Sequence, residues 1–407
     1  MTHQQPRSRQ ADTVLKLEAI RSVMTEIISH ASESVSAGHP DKVCDQVAAA
    51  ILDQAIEASA PVGMRPRVAM EVSAKGRPEG GTLMLFGEVT LPEKVKLNYE
   101  EIARKTVAGI GYSAQNSQFH NGLQELLIRI TQQSADINHG VSGKRTGAGD
   151  QGLMFGGAVD ETPELMPMPI AIAHALTDRY TELYRGEFNW LRPDAKSQVL
   201  LNYQNGYPVG VNRIIIAASH DAGFSLADLR PALIKELILP VLDAYQLRIT
   251  DPTEQIIING AGEWTIYGPL ADAGTTNRKI IVDSYGGAFP HGGGGFNGKD
   301  PTKVDLAGAV GARYIAKSLV AEKLARKVQV EVSYVIGRPD PLSVNINTFG
   351  TAKRPEKMIY ERSREILDLS VDGIIDGLDL FNPEKVKYQQ AAVGGFFGRK
   401  QFPWEQV

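Results

Sequence analysis

The stretch HGGGGFNGKDPTKVD, His291 to Asp305, sets a run of glycines, two lysines and an aspartate at the start of a helical pattern that continues to Ala325. Just upstream, IIVDSY (Ile280 to Tyr285) is built of β-branched and aromatic residues and reads as a strand. Gly292 to Gly295 then permit left-handed dihedrals, and backbone N–H groups turned into one concavity bind anions. Asp300 is placed to cap the following helix and Pro301 suits its first turn. Lys299 stands at that helix start and Lys303 one turn inside it. Gly293, Gly298 and Lys299 match most of a Walker A motif, yet Asp300 occupies the position where Ser or Thr would hold Mg²⁺. The segment therefore reads as a polyphosphate holder unlike an ordinary P-loop, with Asp305 spaced to approach a metal. The alternative is a flexible glycine loop before a solvated helix.

The 407 residues, 43% of them apolar, are enough for two or three cores and too many for one. A formal charge of -4, with Lys and Arg spread throughout, points to no nucleic-acid or polyanionic membrane partner. The single cysteine, Cys44, lies in a helical apolar pattern and reads as core packing. A chain with no disulfide framework suits a reducing cytoplasm. MTHQQPRSRQ lacks an apolar signal region, and no window reaches the ~20 apolar residues of a membrane span, so a soluble, cytoplasmic protein is expected. Residues 1 to about 11 read as a disordered tail, and Ala11–His30 as a helix.

Strands are expected at Arg67–Ser73, Thr82–Thr90, Val211–Ala218, Gln255–Asn259, Trp264–Tyr267, Lys279–Tyr285, Val328–Ile336 and Leu342–Thr348. Helices are expected at Asp41–Ala58, Leu123–Gln132, Pro169–Tyr184, Leu226–Tyr245, Thr302–Ala325 and Glu356–Asp368. The mixture predicts α+β layers in closely joined domains. Asn138 to Gly149, polar and glycine-rich, reads as a mobile loop over a site.

Other segments carry chemistry. In SESVSAGHPDKVCD (Ser32 to Asp45), His39 immediately precedes a helix, and Asp41 and Asp45 share one face of it, either as metal ligands or as helix-dipole partners. GAGDQG (Gly147 to Gly152) fits a dinucleotide fingerprint, but no strand precedes it; it is a turn, ordinary or presenting Asp150 and Gln151 to a ligand. Arg192 with Lys196, and Arg278 with Lys279, are either surface charge or, gathered with Lys299 and Lys303, enough cation to neutralise a triphosphate.

GHPDK (38–42), GAGDQG (147–152), RPDAKSQ (192–198) and GGGGFNGKDPTKVD (292–305) together resemble the signature segments of S-adenosylmethionine synthetases, and the likeness runs from about Ile28 to the C-terminal FPWE. The resemblance implies three interleaved α+β domains with approximate threefold pseudo-symmetry: an N-terminal extension over 1–27, then 28–37 with 162–264, 38–139 with 265–306, and 140–161 with 307–407. It implies a dimer, or a dimer of dimers, with active sites between subunits. The reaction implied joins ATP to L-methionine, the thioether sulfur displacing triphosphate from C5′, followed by cleavage to phosphate and pyrophosphate. By similarity, His39 lies at the breaking C5′–O5′ bond, and Lys196, Arg278, Lys279 and Lys299 grip phosphates. Asp41 and Asp305 match ligands of two Mg²⁺ ions, and Glu71 the residue linked with K⁺. Glu88, Gln133, Asp150, Asp272 and Lys303 match positions around methionine, with Asp272 also on the ATP side. Asp194, Trp264 and Gly295 match positions around the nucleoside.

The chain departs from the family pattern in places. Glu263-Trp264 replaces an Arg-Phe pair, Gly295 and Asn297 stand where Ala and Ser are usual, and Leu306-Ala307 replaces Arg-Ser. The loop after Gln133 is shorter than usual. A divergent enzyme acting on another thioether or mainly cleaving triphosphate, and a silent nucleotide-binding regulatory subunit, are the competing readings. The silent subunit is disfavoured by the presence of His39, Asp41, Lys299 and Asp305.

Overall fold

Two helices are buried on nearly every face, their few inward charges included. In Pro40–Ser59, Val43, Cys44, Val47, Ala48, Ile51 and Leu52 are wholly buried. In Val304–Ala321 the same holds for Leu306, Ala307, Val310, Ala312, Ile315 and Leu319. The Leu306-Ala307 departure thus serves the core. Burial also pushes the Cys44 thiol well above its ordinary pKa, leaving an inert packing group, as expected.

The computed structural model describes residues 27–78, 80–112, 123–132 and 145–407, and these form an α+β fold around three sheets. The first sheet is ordered β1 (Ile28–Val35), β6 (Leu191–Gln204), β7 (Tyr207–His220), β8 (Ile256–Ile258). The second runs β4 (Leu123–Thr131), β3 (Gly80–Thr90), β2 (Arg67–Arg77), β9 (Gly274–Thr275). The third is β11 (Ser343–Asn347), β10 (Lys327–Tyr334), β5 (Gly152–Val159). Each sheet gathers strands that are far apart in sequence. Buried and half-exposed residues alternate along β2 and β10, so one face of each packs on helices and the other does not. On the uncovered faces Met84 of β3 lies beside Leu127 of β4, both exposed, and Leu153 is exposed on β5. Among the described residues no helix is long and apolar enough to cross a membrane.

Several local expectations are corrected. Leu123–Gln132 is strand β4, not helix. Its apolar spacing fits both periods, and the half-buried Leu126, Ile128 and Ile130 alternate with exposed neighbours against β3. Lys279–Tyr285 is a chain of turns, because Asp283 is drawn into a buried ion cluster and its N–H returns to the Lys279 carbonyl at 2.8 Å. Trp264–Tyr267 is irregular. Ile28–His30 belong to β1 rather than a helix, paired with Tyr203–Leu201; the rest of that expected helix, residues 11–26, lies outside the described residues, as do the expected tail and most of the 138–149 loop. Strand β6 was not anticipated, although Asn205-Gly206, both with positive φ (54° and 76°), is the two-residue hairpin signal that joins it to β7. The expected helix Leu226–Tyr245 forms with a π-turn at Ile234–Ile238, just ahead of Pro240, which has no N–H to continue the ladder.

Arg313 closes the core of the third layer. It is wholly buried, and its guanidinium donates to Glu405 through Nε and Nη2, both at 2.9 Å, and to the carbonyls of Gly157, Leu165 and Glu164. Lys317 Nζ adds a 2.8 Å contact to Glu405. Burial works against the Glu405 charge, but Arg313 and Lys317 outweigh it and hold the carboxyl below its usual range. With a depressed folded value, this stabilisation is present above about pH 4.3, the ordinary glutamate value, and is lost as the pH falls through the folded one. Arg313→Met should cost about 3–5 kcal/mol by leaving buried Glu405 to Lys317 alone and stranding three carbonyls, read as a lower urea midpoint at pH 7 with the gap to the parent narrowing in acid. An unchanged midpoint would show that the cluster contributes nothing.

Candidate active site

His39 is the N-cap of helix Pro40–Ser59. Its Nδ1 accepts the main-chain N–H of Asp41 at 3.2 Å, which leaves the ring proton on Nε2. Burial lowers its pKa, and the charges of Lys279 and Lys196 lower it further, to about 3. At neutral pH the ring is therefore an uncharged donor. Asp41, in the helix's first turn, accepts from Lys279 Nζ at 2.6 Å and from the Thr275 N–H at 3.0 Å, with Arg278 Nη1 at 3.7 Å. Burial opposes its charge, yet those hydrogen bonds hold the carboxyl below its usual range.

Strand pairing explains why motifs distant in sequence meet here. Val35 of β1 lies opposite Lys196 of β6, and Ser36 bridges to the Pro193 carbonyl at 2.6 Å and the Ala195 N–H at 2.8 Å. GHPDK and RPDAK are thereby clamped together. Asp194 is buried; its Oδ2 accepts the Gly268 N–H at 2.9 Å while Oδ1 has no partner among the described residues. Burial raises its pKa to about 7 against the pull of that N–H and of Lys196. Asp272 is exposed and accepts from the Ala273 N–H, close enough to Asp194 to raise that group's pKa. Trp264 is half-buried and held by paired contacts with His220, N–H to Nε2 at 3.3 Å and carbonyl to N–H at 3.0 Å. Its neighbour Glu263 is exposed.

Beneath this surface is a cluster that sequence reading missed. Lys42, wholly buried, reaches Asp283 and Asp45, the latter at 3.0 Å. Asp45 accepts the Asn277 N–H at 2.8 Å, and Asp283 accepts from Asn297 Nδ2 at 2.9 Å. Burial disfavours charge on Lys42, but the two carboxylates keep it protonated. Asp45 is thus a partner of Lys42 rather than a ligand beside Asp41. A charged residue within two apolar runs, KVCDQVAAAIL and IIVDSY, was the available signal.

The glycine loop differs in detail from its expected form. Within 292–298 only Gly293 and Gly298 take positive φ. The others are needed for close approach: a Cβ on residue 294 would lie 2.1 Å from Asp305 Oδ1, and one on residue 295 would lie 2.2 Å from the Asn277 side chain. Asn277 in turn joins Asn297 twice, at 3.0 and 3.1 Å, so the Gly295 and Asn297 departures form one hydrogen-bonded unit. Lys299 Nζ meets Asp305 Oδ2 at 2.5 Å. Asp300 is not the helix cap, a place taken by Lys303. It is wholly buried and accepts from the Val68 N–H, the Thr302 N–H and hydroxyl, and Lys303 Nζ, so it is a structural carboxylate. The segment 298–300 adds to the edge of β2, where Ala69 bridges Lys299 on one side and pairs with Glu88 on the other. Glu71, half-buried two residues along, accepts from Thr276 Oγ1. Asp150 is exposed and accepts the Gln151 N–H at 2.7 Å. Gln133 lies outside the described residues.

Eleven of the predicted residues fall into two groups. His39, Asp41, Asp194, Lys196, Asp272, Arg278 and Lys279 converge around the start of helix Pro40–Ser59. Lys299, Lys303, Asp305 and Glu88 gather around the glycine loop and the edge of β2. Among the described residues no ion pair joins one group to the other. The first group offers a neutral donor ringed by cations, suited to a departing anion and not to base catalysis.

Comparison with family models gives three successive matches: the S-adenosylmethionine synthetase N-terminal domain over residues 27–135, the central domain over 145–264 and the C-terminal domain over 266–406. With all three domains present in order and spanning nearly the whole described chain, this protein belongs to the S-adenosylmethionine synthetase family.

Proposed function

We propose that this chain forms S-adenosylmethionine from ATP and L-methionine and cleaves the displaced triphosphate to phosphate and pyrophosphate. The observation that carries the reading is His39: a neutral imidazole whose Nε2–H is free of the helix-capping bond, set among Lys196, Lys279 and Arg278. A thioether has no proton to lose, so its lone pair attacks C5′ directly and the C5′–O5′ bonding pair leaves on triphosphate. Catalysis must then align sulfur with C5′ and stabilise the departing oxygen, which is work for a fixed donor and cations. The orphaned Oδ1 of Asp194 and the face of Trp264 suit a ribose hydroxyl and a base. Lys303, Glu88, Asp150, Asp272 and Gln133 supply the opposite charges and polar groups an amino acid needs.

Among the described residues no three His, Cys, Asp or Glu side chains form a metal cage. Asp41 and Asp305 stand apart as single carboxylates, each beside a lysine. That donor set fits Mg²⁺, which is held by one or two carboxylates together with substrate phosphates. Two such ions, when bound, would neutralise charge growing on the polyphosphate. Glu71 with Thr276 offers oxygens suited to K⁺. Apolar Met84 and Leu127, exposed side by side on an uncovered sheet face, favour a dimer or tetramer, and each site is read as drawing on two subunits. Incubation of the protein with ATP, L-methionine, Mg²⁺ and K⁺, followed by mass spectrometry for S-adenosylmethionine, tests the reading directly; absence of product refutes it.

His39→Asn retains a good helix cap and removes the distal donor. It should slow adenosyl transfer by roughly 10²–10³-fold while hydrolysis of added triphosphate suffers less. Equal losses in both assays would remove His39 from the leaving-group role. Asp41→Asn and Asp305→Asn should each raise the Mg²⁺ concentration needed for half-maximal activity. Unchanged titrations in folded variants would exclude these ligands. On dilution, specific activity should fall in step with loss of the dimer by light scattering, and a fully active monomer would rule out a shared site.

A further inference from the structure

His291 opens the glycine loop, and its two ring nitrogens have different surroundings. Nδ1 accepts the main-chain N–H of Gly293 at 2.9 Å and closes the turn into the loop. That places the ring proton on Nε2. Nε2 is buried and without a hydrogen-bond partner among the described residues, a costly state for a donor. The ring leans on Phe296 with centroids 5.3 Å apart, and lines a small cavity of about 10 Å³ together with Ser284, Gly294 and Asp305. Burial lowers the His291 pKa, outweighing the opposing charges of Asp283 and Asp305.

Asp305 is held on one side only. Its Oδ2 meets Lys299, whereas Oδ1, pressed against Gly294, takes no hydrogen bond among the described residues. Ser284 Oγ donates to the Ile280 carbonyl at 2.8 Å and keeps lone pairs to accept with. His291, Asp305 and Ser284 thus line one space about the size of a water molecule and can offer it the two to four polar partners a buried water requires.

We infer that His291 is a positioning residue for Asp305: its Nε2–H, through one water in this cavity, fixes the Oδ1 side of the carboxylate while Lys299 fixes the other. The inference rests on the proposed role of Asp305 and the glycine loop in holding magnesium and polyphosphate. A carboxylate pinned on both sides keeps one orientation toward an incoming ion, at no cost in ordering on binding.

Two substitutions separate the ring's functions. H291N can still accept the Gly293 N–H but loses the distal donor, whereas H291Q can place an amide N–H near the site of Nε2 and loses the turn acceptor. Binding of magnesium tripolyphosphate to the full-length protein, measured by calorimetry, should weaken roughly 3- to 10-fold in H291N, the loss of one hydrogen bond, and recover in H291Q. The reverse order, with Gln impaired and Asn like the parent, would show that only the turn matters and overturn the inference. Equal binding by all three would also overturn it while leaving the proposed function intact; a parent that fails to bind would refute that function and this inference together. Should H291N not fold, ¹⁵N NMR of the parent imidazole decides the matter. A slowly exchanging Nε2–H supports the assignment, and an Nδ1–H tautomer or a rapidly exchanging proton removes it.

Discussion

One buried ammonium holds the candidate site together. Lys42 lies inside the protein with Asp45 and Asp283, and a charge there survives only because both carboxylates face it. The three residues come from the start of helix Pro40–Ser59 and from the turns at 279–285. Through Asn277 and Asn297 the same network reaches the 274–279 cation segment and the glycine loop. His39, Asp41, Lys279 and the loop are thereby set on one frame, although more than 200 residues of chain lie between the first and the last. Removal of any member would strand another charge, so the frame is all-or-none in character.

The electrostatics above that frame suit the anion that the proposed reaction would form. Burial, with the charges of Lys279 and Lys196, keeps His39 neutral, which preserves one defined donor rather than a second diffuse positive charge. The cations are in turn tied to carboxylates, Lys279 to Asp41 and Lys299 to Asp305. These pairs keep acids and bases oriented in the free protein, and the proposed metal–polyphosphate ligand would match both partners at once. Asp300 shows the opposite use of an acid near a lysine: wholly enclosed and saturated with donors, it builds the loop's base and has no capacity left for a ligand.

Sequence alone singled out the segments that meet at the candidate site. Glycine runs, the helix start at GHPDK and the clustered cations are local patterns, and local patterns reflect local backbone and charge requirements that any fold must meet. Pro40–Ser59, Val304–Ala321 and strands β2, β3, β7 and β10 were legible for the same reason, through periodicity sustained over many residues. Their family likeness was legible too, since the four motifs occur together and in order.

Tertiary structure decided the rest, because the deciding partners are remote. Leu123–Thr131 has a pattern compatible with helix or strand, and only the open edge of β3 makes it a strand. Ile280–Tyr285 has strand composition, yet burying Asp283 against Lys42 bends it into turns. Asp45 reads in sequence as a possible ligand and Asp300 as a helix cap, yet one faces Lys42 and the other takes donors from Val68, Thr302 and Lys303. Whether an acid is a ligand or a support depends on how many donors already face it, and that number is set by chain segments that sequence proximity does not reveal.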